Sequence, residues 1–79
     1  MNIKVIGTGC DKCSKLYENT VEALSKLEID ANLEKVEDLI EIVKLGVMSS
    51  PSLMINGKEV VSGQVVSTDK IIKILKKYQ

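Results

Sequence analysis

Apolar and polar positions change rhythm several times along this chain of 79 residues. Ile3-Lys4-Val5-Ile6 reads as a short buried strand. Leu16, Tyr17, Thr20, Leu24 and Leu27 then recur at three-to-four residue spacing, with Lys15, Glu18, Glu22 and Lys26 on the other side, which predicts an amphipathic helix over about residues 11–28. From Ile29 to Val36 the period drops to two: Ile29, Ala31, Leu33 and Lys35 alternate with Asp30, Asn32, Glu34 and Val36, a second strand. Strand, helix and strand in that order imply a right-handed parallel unit.

The helical pattern returns at Glu37, with Leu39, Ile40, Val43 and Leu45 apolar, Glu37 and Asp38 in the first turn, and Gly46 as terminator. Pro51 ends any helix and forces Ser50 into an extended conformation. Ser52 to Ile55 and Glu59 to Val61 then flank Asn56-Gly57-Lys58, and Asn-Gly signals a tight hairpin because both turn positions need positive φ. Gly63 breaks the second of these strands. Ser67 or Thr68 caps a last helix with Asp69 in its first turn, Ile71, Ile72, Leu75 and Tyr78 along its apolar stripe, and Lys76-Lys77 at its negative end. The predicted order is βαβαββα. A parallel half and an antiparallel hairpin must share one mixed sheet, since each alone would leave an apolar face in water. The fold class expected is therefore α/β, four strands with helices on both faces.

Composition adds bounds to this outline. A chain of this length is expected to be a single domain over residues 1–79, and 44% apolar residues can fill its core. With no Trp or Phe that core is aliphatic. Eleven basic and eleven acidic side chains cancel, which points away from nucleic acid and from anionic membranes. No apolar run approaches the roughly 20 residues that span a bilayer, and no secretory signal is visible before the first strand, so a soluble cytoplasmic protein is expected; a monomer is expected as well.

Both cysteines fall in Gly7-Thr8-Gly9-Cys10-Asp11-Lys12-Cys13, where the first strand hands over to the first helix. Three residues apart at a helix start, two sulfurs can bridge across the first turn, and the helix dipole and free N–H groups there favour a thiolate. In a reducing compartment a lone Cys-x-x-Cys is redox-active or metal-binding more often than a structural staple. The residues alone leave electron exchange, metal binding and simple packing open.

The element order, the Cys-x-x-Cys at the end of the first strand and Ser50-Pro51 before the third strand resemble the thioredoxin fold in its minimal form. With Gly46-Val47-Met48-Ser49-Ser50-Pro51 and Ile55-Asn56-Gly57-Lys58, the chain is similar to the small glutaredoxin-like or thioredoxin-like redox-disulfide proteins of archaea and bacteria. The resemblance implies a disulfide oxidoreductase in which Cys10 is the nucleophile and Cys13 resolves the mixed disulfide. It also implies a cis bond at Pro51, with Gly9 and the Ser50 backbone offered to an extended substrate. Cis geometry rests on the resemblance, since only about 5–6% of bonds before proline are cis. The implied partners are protein disulfides and an external reductase, and the implied redox centre is the Cys10–Cys13 disulfide with no bound cofactor.

The chain departs from thioredoxin itself at several points. Gly9 stands where thioredoxin has tryptophan, Asp11-Lys12 replaces Gly-Pro, and Asn2 to Gly7 lacks the acid that accepts a proton from the resolving thiol. Gly63 and Asp69 match the glutathione-binding pattern of glutaredoxins only in part, so glutathione ranks below protein disulfides. Two other functions remain as alternatives. A Cu(I) or Zn carrier could use the same thiolates, although such carriers end on a strand and this chain ends on a predicted helix. The third reading is a redox-inactive interaction module on the same scaffold.

Overall fold

The computed structural model of the chain describes residues 1–7 and 11–78. Its elements follow the predicted order: β1 (Asn2–Ile6), α1 (Asp11–Leu27), β2 (Asn32–Val36), α2 (Leu39–Lys44), β3 (Ser52–Ile55), β4 (Lys58–Ser62) and α3 (Thr68–Lys76). The strands form one mixed sheet in the order β2-β1-β3-β4. β1 lies parallel to β2, with Ile3 opposite Leu33 and Ile6 opposite Val36, and antiparallel to β3, with Val5 opposite Leu53. The chain thus has the four-stranded α/β architecture expected from its pattern, consistent with the minimal thioredoxin fold that the resemblance implies.

Strand alternation divides the core in two. On one face Ile3, Val5, Leu53 and Ile55 meet Leu16, Ala23 and Leu24 of α1 and Ile71 and Leu75 of α3. On the other, Ile6, Val36 and Met54 meet Ile42 of α2 and Val47 beyond it. The larger cluster therefore lies beneath α1 and α3, and α2 alone covers the opposite face. All four residues of β3 are buried, as a central strand with covered faces requires.

Local chemistry explains the element ends. α1 stops one residue short of the predicted end because Glu28 turns into the left-handed region at φ 55. The Ser67 hydroxyl accepts from the Lys70 amide at 3.2 Å and opens α3. At the hairpin Asn56 and Gly57 have φ 52 and 83, and Ile55 pairs directly with Lys58, so β4 begins one residue before the predicted start. A bulge follows: Met54 pairs with Glu59 but Leu53 with Val61, leaving Val60 extra. That insertion turns Val61 into the core, where it is 4% exposed.

The structure corrects the second helix. Glu37 and Asp38 do not occupy its first turn; Asp38 is the N-cap, its carboxylate accepting from the Ile40 amide at 2.9 Å, and Glu41 is the acid inside. Leu39, Ile40 and Val43 are 67%, 66% and 71% exposed, and the core contact is made by Ile42 instead. Six residues make fewer than two turns at 3.6 residues per turn, so the helix touches the sheet along a single line. β2 is likewise shorter than its alternation suggests, and Ile29 and Ala31 pack against the larger core from the connection before it. Among the described residues, no helix is long and apolar enough to cross a membrane.

Candidate functional site

The site grows out of the end of β1. Past Ile6 the Gly7 amide donates to the Val36 carbonyl at 3.0 Å, carrying the parallel pairing one step further and burying Gly7 at the tip of the sheet. Cys13 stands in the first turn of α1, 2% exposed and disulfide-bonded. The chain's other cysteine, Cys10, lies outside the described residues, as does Gly9.

Gly7 is the point of closest approach. A Cβ added there would collide with the Cys13 Sγ, and would stand 3.2 Å from the Cys13 Cβ and 3.6 Å from the Ser50 Cβ. Its φ lies outside the left-handed range, so space and not backbone conformation demands glycine at this position. Through this gap the start of α1 and the loop before β3 meet. The Ser50–Pro51 peptide bond in that loop is cis, with Pro51 fully buried and Ser50 exposed.

Two further residues brace the loop. Ser52 is fully buried, and its hydroxyl donates to the Ser49 carbonyl, supplying the partner that a buried hydroxyl needs. Gly63, at φ 69, brings the end of β4 so close that a Cβ there would stand 3.2 Å from the Ser49 Cβ. Of the site residues suggested by the sequence, Cys13, Ser50 and Pro51 are thus gathered around Gly7. Sequence reasoning assigned no role to Gly7 or Ser52. The available signals were a glycine ending a buried strand before the cysteines and a serine beginning an otherwise apolar strand.

Thr20 and Ser52 are the buried polar side chains among the described residues, and Thr20 donates to the Leu16 carbonyl of its own helix at 2.8 Å. No carboxylate is buried among them, in keeping with the lack of an acid in β1. Asp11 and Lys12 face solvent. Tyr17 packs on the edge of the larger core with the Lys35 ammonium 5.7 Å from its ring centre. No group of three or more His, Cys, Asp or Glu residues close enough to hold a metal ion occurs among the described residues. The buried sulfur of Cys13 thus lies near a loop in which Ser49 and Ser50 are exposed and Pro51 is buried.

Known proteins place the chain more closely. The thioredoxin domain model matches residues 1–76. The chain is 39% identical over 75 residues to a thioredoxin of Methanothermobacter thermautotrophicus, covering 95% of this chain and 97% of that one. To a thioredoxin of Methanocaldococcus jannaschii it is 38% identical over 76 residues, covering 96% and 87% respectively. With a matching fold, a cysteine in the first turn of α1 and likeness over nearly its whole length, the chain belongs to the thioredoxin family.

Proposed function

We propose that this chain is a cytoplasmic thiol–disulfide oxidoreductase that reduces protein disulfides through Cys10 and Cys13, acting as a single-domain monomer. The observation that carries this reading is the buried, disulfide-bonded Cys13, pressed against Gly7 beside the exposed loop at Ser50–Pro51. In the reaction the Cys10 thiolate attacks a target disulfide, forming a mixed disulfide and releasing the first target thiol. Cys13 then attacks the Cys10 sulfur, releasing the second target thiol and leaving the oxidised protein. The two electrons and two protons gained by the target come from the Cys10–Cys13 dithiol. An external reductase restores that dithiol, and no bound cofactor is needed.

Gly9 and the Ser50 backbone would line the path of an extended substrate, with Pro51 setting the direction of the loop. Protein disulfides rank above glutathione, for which Gly63 and Asp69 supply a partial pattern. The element order βαβαββα supports electron exchange over metal carriage, since such carriers place strand, strand, helix, strand after the first strand and helix, whereas here a second helix follows β2. The test is a redox titration of the purified protein in dithiothreitol buffer, read by mass, together with insulin reduction. A reversible two-electron couple, activity lost in Cys10→Ser, and mixed disulfide accumulating in Cys13→Ser are expected. A dithiol with no reversible oxidation but tight Cu(I) binding would overturn the reading in favour of a carrier.

A further inference from the structure

α2 covers only one end of its face of the sheet. There the strands turn Ile6, Val36 and Met54 toward it. At the other end the alternation puts Asn2 and Lys4 of β1 and Asn32 and Glu34 of β2 on the same face, and these residues, with Met54, line a cleft of about 420 Å³. Leu45 after α2 and Asn56 of the hairpin turn bound it. The volume falls in the roughly 300–1,000 Å³ range of small-molecule sites. The cleft gathers around the start of β1, whereas the dithiol lies beyond its end at Gly7.

Two opposite charges in the cleft are unpaired. Lys4 and Glu34 are register partners on neighbouring strands, a placement that favours a cross-strand ion pair. None joins them: the ion pairs among the described residues are Lys26–Glu22 and Lys35–Glu37. Lys4 is half-buried, which raises the cost of leaving its ammonium without a partner. The Asn56 Oδ1 accepts from the Asn2 amide at 2.9 Å, which orients that carboxamide and leaves its N–H donors for a ligand.

This charge arrangement selects a dipolar occupant. A simple anion would meet Lys4 but be repelled by Glu34, and a simple cation would meet the reverse. A second copy of the chain would set one concave surface against another and leave the cleft unfilled. A molecule with a carboxylate and an ammonium a few ångströms apart matches both charges, which stand on strands spaced about 4.8 Å apart.

We propose that the cleft binds a zwitterionic α-amino acid with an aliphatic side chain. Its carboxylate meets the Lys4 ammonium and the Asn56 N–H donors, its ammonium meets the Glu34 carboxylate, and its side chain lies on Met54 and Leu45. The site is separate from the dithiol and does not depend on the proposed oxidoreductase activity.

The test is an NMR titration of the oxidised full-length protein, following backbone amides as leucine is added to millimolar concentration. Three analogues are compared: leucinamide lacks the carboxylate, N-acetylleucine lacks the ammonium and glycine lacks the side chain. Leucine should shift the amides of Lys4, Glu34 and Asn56. Each analogue should bind about 5-fold more weakly, the scale of one partly exposed ion pair or of a part-buried aliphatic side chain. In Lys4→Gln the difference between leucine and leucinamide should vanish, and in Glu34→Gln that between leucine and N-acetylleucine, with the dispersion of the spectrum showing that each variant is folded. No shift with leucine, equal binding of leucine and its analogues, or discrimination retained in either variant would overturn the proposal. So would a concentration-dependent dimer in sedimentation that shifts the same amides, because the occupant would then be a second copy.

Discussion

Replacing Gly7 with Ala examines the contact that joins the strand, the helix and the loop. Ordinarily the change is mildly favourable where φ is compatible, because alanine narrows the unfolded ensemble by about 0.4–1 kcal/mol. Here the new methyl lands on the Cys13 Sγ and lies 3.2 Å from its Cβ. That sulfur cannot swing away easily, since Cys13 is disulfide-bonded and buried in the first turn of α1. Overpacking a dense site costs about 1–3 kcal/mol. The net expectation is a loss of about 0.5–2 kcal/mol in the oxidised protein, and a domain of this size loses about 4–8 °C in Tm per kcal/mol. Urea melts of both redox forms, with the redox midpoint in dithiothreitol buffer, measure the effect. Reduction frees the sulfur to move, so the oxidised form should lose more stability and the midpoint should shift toward the dithiol. Equal or greater stability of the oxidised variant would refute the argument that space at Gly7 is reserved for the sulfur.

Ser52→Ala removes the buried hydroxyl that donates to the Ser49 carbonyl, and should lower stability in urea by about 1–3 kcal/mol. It should also slow insulin reduction, because the loop carrying Ser50 loses its brace; an unchanged rate would separate the brace from the reaction. Gly57→Ala meets no atom within 4 Å but must hold φ 83, so thermal melts should show a loss of about 1–2 kcal/mol caused by backbone conformation alone.

Much of the fold was legible in the chain because local rules and long-range packing agree over most of it. The 3.6-residue stripes of α1 and α3 predicted the helices whose Leu16, Leu24, Ile71 and Leu75 fill the larger core. Asn56-Gly57 set the hairpin through φ values that few other residue pairs tolerate. The α2 pattern misled because periodicity records which side of a helix is apolar, and says nothing of whether enough sheet lies beneath to cover it. Leu39, Ile40 and Val43 have the spacing of a core stripe yet stand in water, since so short a helix reaches the sheet only through Ile42.

The site divides along the same line. By itself the sequence determined that Cys13 would sit at the start of a helix and that Pro51 would interrupt the chain before β3, because both follow from neighbours in the chain. Tertiary structure alone decided that these two places meet, 37 residues apart in the chain between Cys13 and Ser50, around a glycine. It also decided that Ser52 turns inward to brace the loop and that the apolar side of α2 lies open beside it. The reason is physical: hydrogen-bonding period and φ preference act over a few residues, whereas the collision of a methyl with a sulfur exists only once the sheet has brought β1, β3 and α1 together.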